Sequence, residues 1–112
     1  MRVDETCEKA AKETRERIEQ VKSLLKQYGI SEKTPRGLEN VRIYCADEGL
    51  VKQRGLNIPV ITVEIRNYPE FIKLARELGA EIKTHTYGGP IRLEERSFEH
   101  EGIKYVSYAL GW

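Results

Sequence analysis

The chain has 112 residues, of which 39% are hydrophobic and 33% are charged, and its 19 Lys and Arg nearly balance its 18 Asp and Glu. These values are typical of one soluble globular domain, so we expect a single domain over 1-112. They give no sign of a strongly basic polyanion-binding molecule, so any basic patch must be local. The absence of a long apolar run predicts a cytoplasmic protein with no membrane partner. Abundant Glu, Lys and Arg with few Asn and Gln favour a thermophilic source.

The N-terminal segment, residues 3 to 29, carries apolar or small side chains at helical spacing. This pattern predicts one long helix over 1-29 that ends at Gly29. A helix of that length spans about 40 Å, more than the body of a compact domain, so we expect it to overhang. Its free end would then lie in solvent or pack against a second subunit. The positions that form the pattern are Cys7, Ala11, Thr14, Ile18, Val21, Leu25 and Tyr28.

The remaining chain predicts a sheet body over 41-112. Strands are expected at 41 to 46, 58 to 65, 80 to 87, 90 to 98 and 103 to 110, with a short helix at about 69-79. The order α-β-β-α-β-β-β predicts an α+β fold with a mixed, mostly antiparallel five-stranded sheet. The short crossover helix should place the strands on either side of it parallel to each other.

Both histidines lie in the stretch that follows the short helix. If Gly88 and Gly89 form a two-residue hairpin turn, Tyr87 pairs with Pro90 and His85 faces Arg92. His100 then lies eight residues farther along the strand, about 26 Å away, too far for the two imidazoles to share a metal ion. We therefore expect no metal site and no other cofactor.

Other patterns typical of catalysis are missing. Cys7 and Cys45 lack CxxC spacing and are interpreted as small buried hydrophobic residues. The chain contains no GxSxG, P-loop or GxGxxG motif, so an enzyme is not favoured, although it is not excluded. If there is a cleft for a small ligand or a reaction, its candidate residues are Tyr44, Asp47, Glu48 and His85.

Two predicted loops concentrate basic residues. Lys33 and Arg36 lie in one of them, and Lys52 and Arg54 lie in the other. If both loops met at one end of the sheet, they could contact a nucleic-acid phosphate backbone. Nucleic-acid binding is therefore an alternative function, but not the favoured one.

The last predicted strand is apolar on both faces, which indicates cover on both sides. Two helices can cover one face of a five-stranded sheet but hardly both, unless they pack on opposite faces. We therefore favour a small non-enzymatic module that binds itself or another protein, and we expect it to form a homodimer. The candidate interface residues are Val106, Tyr108, Leu110 and Trp112.

Overall fold

The computed structural model describes the backbone of residues 1 to 111 and the side chains of residues 1 to 109. Short helices and strands alternate along this part of the chain. In order they are β1 (Arg2–Val3), α1 (Glu5–Glu8), α2 (Lys12–Gln27), β2 (Val41–Cys45), α3 (Glu48–Gln53), β3 (Ile61–Ile65), α4 (Tyr68–Glu77), β4 (Lys83–Tyr87), β5 (Arg92–His100) and β6 (Ile103–Gly111). None of the helices between residues 1 and 111 is long and apolar enough to span a membrane.

The strands form a single mixed sheet in the order β1-β2-β3-β6-β5-β4. Strand β3 is antiparallel to β2 and parallel to β6, and β6, β5 and β4 form an antiparallel meander. The predicted α+β class is therefore confirmed. The crossover through α4 also makes β3 and β4 parallel, as expected, although β6 and β5 lie between them. The sheet has six strands instead of five because β1 pairs in parallel with β2, through Arg2 with Arg42 and Val3 with Ile43.

The prediction of one continuous helix over 1-29 is wrong. The chain leaves helical geometry between Lys9 and Ala11, which separates the one-turn helix α1 from α2. The helical pattern holds from Ile18 to Leu25, where the side chains are buried. The earlier part of the pattern does not produce a continuous helix, because β1 and α1 pack against β2. Such tertiary contacts outweigh the local helix propensity. The predicted overhang therefore does not form.

The predicted hairpin register is also wrong. Tyr87 pairs with Leu93, so the connection is a five-residue loop over 88 to 92, and His85 faces Glu95 instead of Arg92. His100 lies five residues beyond Glu95 on β5, which places the two histidines roughly 17 Å apart along the strand. Turn composition alone did not show that Pro90 and Ile91 belong to the loop.

The hydrophobic core lies on one face of the sheet. Helix α2 contributes Ile18, Val21 and Leu25, and helix α4 contributes Phe71, Leu74 and Ala75, all to the same buried cluster. Both helices therefore pack on the same side, which excludes the arrangement with one helix on each face. The sheet residues of this cluster alternate along their strands and include Val41, Ile43, Cys45, Ile61, Val63, Ile65, Phe98 and Tyr105.

The two cysteines are buried, as predicted, but they are not independent hydrophobic residues. Cys7 of α1 and Cys45 of β2 form a disulfide, and their Cα atoms lie 5.1 Å apart. The two cysteines are 38 positions apart in sequence, and no sequence signal indicated this proximity. It arises because β1 and α1 fold back onto β2.

Candidate functional site

The face of the sheet opposite α2 and α4 contributes no residue to the core cluster, and we call it the open face. Residues alternate between the two faces along each strand, so the register identifies its members. Its central part combines aromatic, aliphatic and charged side chains. These are Arg42, Tyr44, Glu64, Glu95, Lys104, Val106 and Tyr108.

A carboxylate is buried on this face. Glu95 is only 8% exposed, and its Oε1 accepts hydrogen bonds from Lys104 Nζ and Tyr108 Oη, each at 3.3 Å. Burial raises the pKa of Tyr108, and its hydrogen bond with Tyr44 and the charge of Glu95 act in the same direction. Tyr108 therefore remains a neutral hydroxyl that can donate to the carboxylate.

Two of the predicted interface residues lie together here. Val106 is fully buried, and Tyr108 is 40% exposed. Val106 is absent from the core cluster on the helix side, so its neighbours on the open face, Lys104, Tyr108 and Glu64, must shield it. The Leu110 side chain and Trp112 fall outside the described residues.

Part of the sheet extends beyond its pairing with β3. Strand β6 pairs with β3 only from Lys104 to Val106, whereas its pairing with β5 continues to Gly111. We call the outer part, residues 83 to 96 with 107 to 111, the arm. All five residues of β4 are exposed, and so is Ile91 at the tip. The radius of gyration of 14.3 Å exceeds the value of about 13 Å expected for a compact chain of this length.

Only two of the four predicted cleft residues come together. Asp47 and Glu48 line a cavity of about 260 Å³ beside the break between α1 and α2. Both make structural contacts there, since Asp47 caps α3 through Leu50 N and Glu48 accepts a hydrogen bond from Ala11 N. Tyr44 lies on the open face instead.

The fourth cleft residue, His85, lies on β4, four strand positions away from β2 in the sheet, or roughly 19 Å. Its ring packs edge-on against Tyr87 with centroids 4.5 Å apart. Within residues 1 to 111, no group of three or more His, Cys, Asp and Glu side chains is arranged to hold a metal ion.

The predicted nucleic-acid residues do not form one surface. Lys33 and Arg36 precede β2, whereas Lys52 and Arg54 follow it, so the two pairs lie at opposite ends of that strand. Lys33 is also ion-paired with Glu39 at 3.3 Å. The condition that both loops meet at one end of the sheet is not fulfilled.

Sequence reasoning missed Glu95 and Lys104 as members of a site. The wrong hairpin register left Glu95 without a partner, and Lys104 stood out only as the single charge in an apolar strand. A correct register for β5 and β6 would have placed Glu95 opposite Tyr108.

Comparisons with protein-family models, with curated proteins and with solved structures find no match for this chain. Its function is therefore argued from its surface.

Proposed function

We propose that this chain is a small self-associating module in which two copies pack through the open face and the arm. The observation that carries the proposal is that α1, α2 and α4 all contribute side chains to the core on one side of the sheet, whereas the open face contributes none. Tyr108 on the other side is left 40% exposed beside the fully buried Val106. Aromatic side chains with a polar tip are favoured at subunit interfaces because they bury a large apolar area and still satisfy a hydrogen bond.

The arm supports the same conclusion. Strand β4 is an edge strand whose outer backbone groups have no neighbouring strand in the sheet. Such an edge is a template for pairing with another chain, and Lys83 is its only permanently charged residue. Tyr87 is 44% exposed and Ile91 is 58% exposed, so pairing there would also remove apolar surface from water.

The open face favours binding over catalysis. The Glu95 carboxylate is engaged by Lys104 and Tyr108, which leaves it poorly placed to accept a substrate proton. Such a buried and satisfied cluster instead gives the surface a defined shape and charge pattern, which supports specific recognition of a second copy.

Sedimentation velocity at tens of micromolar tests the proposal. We expect the unmodified chain to sediment as a dimer, and we expect Tyr108→Glu and Tyr87→Glu to shift it towards monomer because each buries a charge in the interface. Leu50→Glu is the matched control, since Leu50 is 45% exposed on α3 and belongs to neither the open face nor the arm. A monomeric parent chain, or equal dissociation by the control, contradicts the proposal. Circular dichroism establishes that each variant is folded.

Nucleic-acid binding remains a weaker proposal because Arg36 and Arg54 would have to act from opposite ends of β2. A gel shift at low salt that is abolished by Arg36→Glu with Arg54→Glu would support it. Binding of a small ligand at Asp47 and Glu48 is supported only by the cavity that both residues line.

A further inference from the structure

A second surface has the form of a groove, and it borders the arm where the Arg96 guanidinium lies over the Tyr68 ring. It lies between the turn formed by residues 34 to 38 and the segment 66 to 69 at the start of α4, and its volume is about 410 Å³. None of the residues that line it is acidic. They are Thr34, Pro35, Arg36, Leu38, Arg66, Asn67, Tyr68 and Pro69.

The walls of the groove are held in place by a buried amide. Asn40 is 2% exposed, and its Nδ2 donates to Ser31 O at 2.7 Å and to Glu70 Oε2 at 3.0 Å. Its Oδ1 accepts a hydrogen bond from Asn67 N at 2.8 Å. One side chain therefore connects the segment before the turn to the start of α4. A groove whose walls are already fixed loses little conformational entropy on binding.

The turn itself is closed by its own hydrogen bonds. Thr34 N donates to Leu38 O at 2.8 Å, and Leu38 N donates to Thr34 Oγ1 at 3.1 Å. Gly37 has φ of 81°, a left-handed conformation that glycine adopts without steric cost. This tight turn presents Pro35, Arg36 and Leu38 at the surface.

The groove has two cations and no carboxylate of its own. Within residues 1 to 111, neither Arg36 nor Arg66 forms an ion pair with an acidic side chain, although Arg66 Nε donates to Glu39 O at 3.2 Å. Two of the nearby acids are engaged elsewhere, whereas Glu64 lines a neighbouring cavity together with Arg66. Glu39 pairs with Lys33 and the Met1 amino group, and Glu70 accepts from Ser31 and Asn40. The groove is therefore electrostatically complementary to negative charge.

Its floor is apolar. Leu38 is 50% exposed, and Tyr68 is 36% exposed between the two prolines. The Arg96 guanidinium lies over the Tyr68 ring, with Cζ 4.5 Å from the ring centroid. A face of this ring is thus already occupied, which weighs against the base stacking that single-stranded nucleic acids use.

We propose that this groove binds an acidic, hydrophobic peptide segment of a partner protein. An aliphatic or aromatic side chain of the peptide would contact Leu38 and Tyr68, and carboxylates on either side of it would pair with Arg36 and Arg66. A peptide suits the site better than a small molecule because the groove is open along one side, whereas small-molecule sites enclose most of the ligand surface. This site borders the arm at Tyr68, but none of its lining residues belongs to the arm.

Fluorescence anisotropy with a fluorescein-labelled peptide, a Leu-Phe pair flanked on both sides by Glu and Asp, tests the proposal. We expect saturable binding that weakens as salt is added, since the ion pairs are exposed to solvent. Arg36→Glu with Arg66→Glu should raise the Kd about tenfold or more, because two attractions become repulsions. The matched control, Lys52→Glu with Arg54→Glu, makes the same change of charge on α3 and should leave the Kd unchanged.

Further outcomes separate the peptide from other ligands. Amide chemical shifts at Thr34, Arg36 and Leu38 should move with the acidic peptide and stay unchanged with a peptide in which Lys replaces the acids. If Arg66→Glu unfolds the chain, Arg36→Glu with Leu38→Ser provides the same test on the exposed turn alone. The proposal is overturned if binding is not saturable or if the control pair weakens it equally. It is also overturned if 4-phenylbutyrate or a single-stranded oligonucleotide binds the groove as tightly as the peptide does.

Discussion

Cys7 and Cys45 join the first helical turn of the chain to the end of β2 through a disulfide that spans 38 residues. Besides this bond, the N-terminal segment is attached through the two-residue strand β1 and the contacts of α1 with β2. The disulfide therefore restrains a segment that has little regular structure of its own.

We expect reduction of this disulfide, or its removal in Cys7→Ser with Cys45→Ser, to lower the free energy of unfolding by about 3 to 4 kcal/mol. The physical reason is that closing a loop of this length reduces the entropy of the unfolded chain. Urea unfolding with and without dithiothreitol measures the difference. The double variant should not respond to dithiothreitol, and equal stability of the oxidised and reduced chain would contradict the prediction.

The buried amide of Asn40 should be among the most sensitive positions in the molecule. Asn40→Ala removes one hydrogen bond from each of three groups, which are Asn67 N, Ser31 O and the Glu70 carboxylate. We expect a loss of about 2 to 4 kcal/mol, because buried polar groups that lose their partner retain their desolvation cost. Chemical denaturation measures it. Asn57→Ala, on an exposed loop residue, is the control and should change stability by less than about 0.5 kcal/mol.

Alkaline pH should destabilise the fold through Tyr105. Burial raises the pKa of this tyrosine to about 12, and the charge of Glu101 adds to the effect. Above the ordinary tyrosine pKa of about 10, the unfolded chain loses the phenolic proton while the folded chain keeps it, so stability falls as pH rises from about 10 to about 12. The loss from this residue amounts to at most about 3 kcal/mol.

The variant Tyr105→Phe removes the titrating group and should flatten that part of the stability curve while leaving stability near neutral pH almost unchanged. Guanidinium unfolding at a series of alkaline pH values measures both effects. Tyr87→Phe, on the exposed strand β4, is the control. If Tyr105→Phe and the parent chain lose stability in parallel, burial of Tyr105 is not the cause.

An ion pair between Asp4 and Arg42 connects the start of α1 to β2. Arg42 donates through Nε at 3.2 Å and through Nη2 at 2.7 Å, and its hydrogen bonds lower the pKa of Asp4. A lowered pKa contributes stability above the unfolded value, near 4, which is lost as pH falls through the folded value. Because the Arg42 side chain is 44% exposed, solvent screens the interaction, and we expect Asp4→Asn to cost only about 0.5 to 1 kcal/mol at neutral pH.

Urea unfolding at neutral and acidic pH checks this prediction. The difference between parent and Asp4→Asn should shrink below about pH 4, where Asp4 of the unfolded parent takes up a proton, and disappear once pH falls below the lowered pKa of the folded chain. A double-mutant cycle with Arg42→Gln isolates the pairwise coupling. A difference that stays constant with pH would contradict an electrostatic origin.

Much of the secondary structure followed from short-range patterns. The alternation of Val41, Ile43 and Cys45 predicted β2, and Pro69 with the apolar residues of 71 to 78 predicted α4. The register of β4 with β5 did not follow, because hairpin pairing depends on how many residues the loop takes up. Helix α3 was also missed, since its single turn has too few apolar positions to show a period.

Of the candidate sites, too, the sequence indicated one and missed the other. Val106 and Tyr108 were predicted as interface residues because both sides of the last strand are apolar, but within one chain only Tyr108 is exposed and Val106 is fully buried. The groove was not predicted, because Arg36 and Arg66 are far apart in sequence and meet only through Asn40 and the start of α4.

The sequence by itself determined the α+β class, most strands and the crossover helix, because burial requires each element to repeat its apolar residues at its own period. Tertiary structure alone decided where the first helix breaks, that Cys7 meets Cys45, which face of the sheet stays open and which arginines share a groove. These features depend on contacts between segments that are distant in sequence. Such contacts produce no periodic pattern of residues in the local sequence.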